Sequence, residues 1–232
     1  MTLPVIVAPE YTTILPSNNM EIKYRPFLVK EEKLLLFAAE SGEKEDMVGS
    51  ICQMLQNCVI EPEIDPLTIP YFDFEYLFLH IRSKSVGETA EFKLKHDKED
   101  CEHMNEVSVR LDQIINKTDD SHTSTIQLTD DIGVKMKYPT IESVKDMIDI
   151  DAENILKIFA SGLELVYDKE QVYDEFTEQE SIEFLESLSK EQFDKITAFY
   201  NTMPVSRLEV KYKCEKCGED VETLISGFEN FF

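Results

Sequence analysis

Glycine is scarce: seven residues scattered through 232 and never clustered, so the sequence has no loop of the phosphate-cradling kind. Histidine is scarcer, at four, and no serine, cysteine or carboxylate stands in a recognisable nucleophile setting. No enzyme is expected. No apolar run approaches the roughly 20 residues needed to cross a bilayer. Met1 to Leu15 has no basic leader and carries Pro4 and Pro9, with Pro16 behind them, so neither a signal peptide nor a membrane helix is expected there. Tryptophan is absent, which by itself excludes nothing. Bases are the most telling shortage: 23 against 47 acids, a net of −24. Such a surface repels phosphate backbones and anionic lipid. Nucleic acid and membrane are therefore not expected partners, and nothing points to a small-molecule substrate.

What is present is an ordinary share of apolar residues, 42%, enough for one large domain or two small ones. Five cysteines, an odd number, speak for a reducing compartment without a disulfide framework. Residues 1–19 read as an irregular, proline-punctuated arm. Met20 to Arg25 alternates like a strand, and Pro26 suits the first turn of a helix whose apolar stripe is Phe27, Leu28, Leu34, Leu35 and Ala38. In this reading Phe27 and Leu28 anchor the core and Arg25 pairs with an acid. A second helix is expected from about Lys44 to Val59, with Cys52 and Cys58 as small core hydrophobes. A third is expected over Phe72 to Ser85, opened by Asp73 near its cap and buried on most sides. His80 lies on it as an interior or boundary residue.

Four alternating stretches follow: Thr89 to Leu94, Val107 to Leu111, Thr123 to Leu128 and Val134 to Tyr138. They predict a small antiparallel meander, with His122 in a polar loop. Helical spacing returns over Ile141 to Ile148, Ala152 to Val166, Glu178 to Leu188 and Ser189 to Met203, where Ser189 and Gln192 read as a capping box. Thr140 to Tyr200 holds 16 acids and 5 bases, a net of −11, which reads as a solvated face or a docking surface for a basic segment. Arg207 to Tyr212 and Val221 to Ile225 flank a final turn as a hairpin. The fold class is thus α+β, divided as an arm at 1–19, helices plus meander at 20–139, and an acidic helical segment with hairpin at 140–232.

That last turn, Cys214-Glu-Lys-Cys217-Gly218, has defined chemistry. Two thiolates spaced by two residues, with glycine behind, form a knuckle that points both sulfurs at one ion. Tetrahedral zinc needs two more ligands, and His96, Cys101 and His103 are the other cluster. A site of Cys214, Cys217, Cys101 and His96 is chemically sound, and a metal there would be structural, stapling hairpin to meander. A plain turn with reduced thiols and a redox pair are the other readings. Phe228, Phe231 and Phe232 crowd the chain end and either fold back or enter a partner groove. Arg82 and Lys84 form a basic patch that pairs with local acids or faces a partner.

The run Lys23-Tyr-Arg-Pro-Phe-Leu-Val-Lys-Glu-Glu-Lys33, with Ala38-Ala-Glu-Ser41 behind it, resembles the baseplate hub assembly protein family of T-even (T4-like) contractile-tailed bacteriophages. Tyr76 to Gly87, Val134 to Pro139, Cys214 to Gly218 and Ser226 to Phe232 fit the same family in order. The resemblance implies a factor for assembling the baseplate hub, binding hub or tape-measure proteins. It would act as a chaperone in the host cytoplasm or remain as a minor subunit of the virion tail baseplate. It also implies a second Cys-x-x-Cys in the turn after residue 96, where this chain has one cysteine in a longer turn. A zinc-ribbon adaptor for a basic partner is the alternative from another class.

Overall fold

The computed structural model describes residue 4 and residues 6–98, 101–111, 115–117, 119–144 and 152–225. Seven helices and several small antiparallel sheets lie among the described residues, an α+β fold. They form two compact units. The first gathers Met1–Pro66, Phe72–Lys117 and Val205–Phe232; the second takes Leu67–Tyr71 and Thr118–Pro204. This division is interleaved along the chain. Its physical origin is a strand pairing: Val205 stands opposite Lys117, so the chain returns to the first unit beside the point where it left.

The first unit opens with β1 (Tyr11–Ile14), β2 (Glu21–Tyr24) and β3 (Val59–Glu61), in the order β1-β2-β3. The arm expected to be irregular thus supplies a strand, because Thr13 and Leu15 turn inward and Tyr11 to Ile14 find the backbone of β2. Helix α1 (Val29–Ser41) begins three residues after Pro26 rather than at it. Its start is organised by Glu31, which is fully buried and accepts from the Leu28 N–H at 2.9 Å and from Arg25 Nη2 at 3.1 Å. Arg25 also donates to the carbonyls of Pro26 and Asn57, both at 2.9 Å. The corner is held by a buried ion pair, as the sequence suggests for Arg25. Phe27 is only half-buried and Leu28 is exposed, so the anchors of this helix are Leu35 and Ala38 instead.

Helix α2 (Lys44–Cys58) buries Ile51, Met54, Leu55 and Cys58. Burial pushes the Cys52 thiol up to about 11 and the Cys58 thiol up to about 12, which keeps both as neutral hydrophobes. Helix α3 (Tyr71–Val86) buries nine residues around its circumference, including Phe72, Phe74, Leu77, Phe78 and Ile81. Asp73 is not a cap. It is fully buried and accepts from the Ser17 N–H at 3.1 Å and from the Ser17 hydroxyl.

The strands expected in one meander part company. β4 (Thr89–His96) and β5 (His103–Arg110) form a two-stranded sheet of their own in the first unit. There too β6 (Ile115–Lys117), β11 (Val205–Lys213) and β12 (Asp220–Ile225) make a sheet in the order β12-β11-β6.

In the second unit β7 (Thr125–Gln127) and β8 (Gly133–Met136) join β9 (Leu163–Tyr167) and β10 (Val172–Tyr173), in the order β10-β9-β8-β7. Strand β9 occupies the end of the helix expected over Ala152 to Val166. The helix stops as α5 (Ala152–Ser161) before Gly162, and the β-rich run Leu-Glu-Leu-Val-Tyr pairs with β8. Helices α4 (Ile141–Val144), α6 (Glu178–Glu186) and α7 (Lys190–Thr202) complete the unit. The remainder of the helix expected to run to Ile148 lies outside the described residues. The capping box at Ser189 and Gln192 forms, and Thr177 with Glu180 makes another. Phe159, Leu163, Leu185, Ile196 and Phe199 pack with Val134 and Met136 into the unit's core. His122 is no free loop residue. Its ring stacks on Tyr138, with Nε2 3.0 Å from Tyr138 Oη and Nδ1 2.9 Å from Thr202 Oγ1.

Candidate metal centre

Two hairpin ends in the first unit build the site. In the β4–β5 hairpin His96 and His103 form the last cross-strand pair, so the turn between them begins and ends on a histidine. Lys98 N–H donates to the His96 carbonyl at 3.0 Å and Cys101 N–H to the Lys98 carbonyl at 2.8 Å, which curls the turn and carries Cys101 back towards the sheet. In the β11–β12 hairpin, Gly218 N–H donates to the Cys214 carbonyl at 2.8 Å and Cys214 N–H to the Glu219 carbonyl at 2.9 Å. Gly218 adopts φ of 74°, a left-handed conformation that suits glycine and closes the knuckle.

These turns bring His96, Cys101, Cys214 and Cys217 together, with one ligand atom from each within 4.8 Å of all the others. Cys101 Sγ lies 3.5 Å from Cys214 Sγ, and Cys217 Sγ lies 3.5 Å from His96 Nδ1. A tetrahedron with Zn–S near 2.3 Å and Zn–N near 2.0 Å has edges of about 3.5–3.8 Å, which both of these 3.5 Å separations match, so the four residues could hold a four-coordinate ion. His96, Cys101 and Cys214 are buried while Cys217 is exposed. Four protein donors leave no open position for a substrate.

The electrostatics favour a thiolate at the centre of the knuckle. Burial pushes the Cys214 thiol up, but the N–H groups of Cys217 and Lys216, with His96 and Cys101, outweigh it and bring it to about 6. Cys101 is held above the ordinary thiol value by burial and by its neighbours Cys214 and Cys217. A cation among these sulfurs would relieve that mutual repulsion.

Polar struts hold the two hairpin ends in place. Asn105, itself buried, accepts from the Glu215 N–H at 2.9 Å and donates to the carbonyls of Leu94 and His103. Lys216 Nζ donates to the Cys101 carbonyl at 2.9 Å, and Lys98 pairs with Glu219 at 2.6 Å. Of the strut side chains, only Lys216 lies within the Cys-x-x-Cys motif read from the sequence. Asn105 alone has a legible signal: it occupies the inward register of β5 with Val107 and Val109, where an amide needs partners.

His103, the remaining member of the sequence cluster, stands 3.7 Å from Glu215 and lies outside the ligand group. Arg82 and Lys84 are on α3. Lys84 pairs with Glu88 at 2.7 Å and lies over the Tyr11 ring, while Arg82 is half-buried, with Nη1 enclosed and without a hydrogen-bond partner among the described residues. Phe228, Phe231 and Phe232 fall outside the described residues.

Comparison with curated proteins and with solved structures finds no match. A family model described as T4 bacteriophage base plate protein matches residues 8–232, the span that contains both hairpins of the metal centre and all of the elements above. Over nearly its whole length, then, this chain belongs to the T4 bacteriophage base plate protein family.

Proposed function

We propose that this protein is a non-catalytic assembly factor of the phage baseplate hub, acting as a chaperone through protein–protein contact. It would work in the host cytoplasm while the virion is built. The observation that carries this reading is the family match over residues 8–232. A net charge of −24 supports it, because an acidic surface attracts basic protein segments and discourages nucleic acid and anionic lipid. Hub or tape-measure proteins are the partners this reading names.

In the same reading the metal centre takes a structural zinc, held by the thiolates of Cys101, Cys214 and Cys217 and by His96. The ion would supply cross-links between the two hairpin ends rather than Lewis-acid chemistry, since four protein donors complete its coordination.

Co-expression with the tail-tip proteins, followed by mass analysis of subassemblies and of finished particles, tests the assignment. A chaperone is found in hub subassemblies and is missing from virions. Recovery from finished virions would identify a retained minor subunit instead. Failure to associate with any tail protein would overturn the hub role.

A further inference from the structure

Helix α1 turns an unusual face to solvent. Leu36 and Phe37 are 58% and 68% exposed, and Val29, two turns before them on the same side, is 66% exposed. A helix advances 100° per residue, so Val29, Lys33, Leu36, Phe37 and Glu40 form a single stripe along α1. Exposed leucine and phenylalanine side by side are an interaction signal rather than the scattered apolar residue that any surface carries. Lys33 and Glu40 are exposed as well, and neither makes an ion pair among the described residues. Lys30, by contrast, is engaged with Glu31.

The order of charges and apolar residues on this stripe is self-complementary. A two-fold axis between Leu36 and Phe37 sets each residue of one helix against a defined residue of its antiparallel copy. Leu36 then meets Phe37, and Lys33 meets Glu40, each contact occurring twice. A parallel arrangement would set lysine against lysine and glutamate against glutamate. This reciprocity is what an isologous interface requires.

We propose that this face binds a second copy of the same chain, with two α1 helices packed antiparallel about that axis. The proposal is independent of the baseplate role. A thirteen-residue helix is about 20 Å long, and one such pair covers less than the roughly 800 Å² per partner of a standard interface. The dimer is accordingly weak, with Kd on the order of 10–100 µM.

Sedimentation equilibrium of the full chain at concentrations bracketing that range reads the association directly. The expected mass rises from 26.9 kDa towards twice that value. Lys33→Glu and Glu40→Lys each place like charges opposite one another at both symmetry-related contacts, so each is expected to weaken self-association about tenfold. The first variant carries acids at both stripe positions and the second carries bases at both. Mixed one to one, they set unlike charges against each other at both contacts across the axis, and a heterodimer of wild-type strength is expected. Thermal melting of each variant verifies that the fold is kept, which a single exposed substitution leaves intact. A wild-type chain that stays monomeric at about 200 µM would overturn the proposal. So would single variants that dimerise as well as the wild type, or a mixture that does no better than its components.

Discussion

Arg25 and Glu31 show how much one buried pair settles. Burial alone pushes the Glu31 carboxyl up, but the Arg25 guanidinium, the Leu28 N–H and Lys30 outweigh it and hold the group below its ordinary value of 4.5. A carboxylate whose folded pKa is depressed contributes stability that is complete above the unfolded value and is lost as pH falls through the folded one. Arg25→Met removes the guanidinium and leaves the enclosed charge with only Lys30 and the Leu28 N–H, at a cost of about 2 kcal/mol near neutral pH. In that variant the Glu31 pKa moves up, and acidification should cost less stability than it does in the wild type. Urea denaturation of both proteins between about pH 4 and 7 reads the difference. A variant whose pH dependence parallels the wild type would show that Arg25 is not what stabilises the Glu31 charge.

His80 titrates with the opposite chemistry. Burial first, and Lys84 second, bring its pKa from 6.5 down to about 4. The unfolded chain therefore binds a proton between those values that the native chain refuses, and stability declines as pH falls through that window, by up to about 3 kcal/mol. His80→Gln should flatten this part of the pH profile. An unchanged slope would place the acid sensitivity elsewhere.

At the scale of elements, the capped helix start is the most local of the features. Thr177 and Glu180, like Ser189 and Gln192, satisfy backbone donors that a helix start leaves open. In the first of these boxes the Glu180 carboxylate accepts from the Thr177 N–H at 2.7 Å, and Thr177 Oγ1 accepts from the Glu180 N–H at 3.2 Å. Thr177→Ala removes the second contact and is expected to cost about 1 kcal/mol. For a chain of this size that corresponds to a fall of about 2–4 °C in Tm, measurable by calorimetry. Local rules of this kind need only the neighbouring residues, which is why α6 and α7 were readable to within a residue or two. Strand partners are not local. Alternation marked β4, β5, β7 and β8 correctly as strands, yet nothing in their spacing says that β8 pairs with β9 rather than with the preceding hairpin. The helical spacing that ran on to Val166 failed for a related reason, because pairing with β8 outweighed a pattern equally consistent with helix.

At the scale of the whole molecule, the candidate metal centre joins residues more than a hundred positions apart. If the cluster holds a structural zinc, the purified chain should carry one zinc per molecule by elemental analysis. Chelation should then lower Tm by about 10 °C or more, since the ion's binding energy is also folding energy. Cys214→Ser should lose both the zinc and the sensitivity to chelator. Sub-stoichiometric zinc together with unchanged melting would sink the structural-zinc reading. The charge of −24 acts at the same scale: capture of a basic hub segment should weaken steeply with added salt, as an association steered by unlike charges does.

Residue type and spacing nominate the donors of the candidate site and the chemistry they offer. Cys214, Cys217 and Gly218 define a knuckle through local spacing, and His96 with Cys101 supplies the missing donors in kind and number. The same signals carry the α+β class, the capped start of α7 and the family, all of which depend on residue type and order. Long-range packing decided that the two donor pairs meet, because β4–β5 and β11–β12 are separate hairpins, bridged at their ends by Asn105, Lys216 and the Lys98–Glu219 pair. It likewise decided that Leu28, Leu36 and Phe37 face outward. Helical spacing shows that apolar residues share a side, but burial depends on what the rest of the chain places against them.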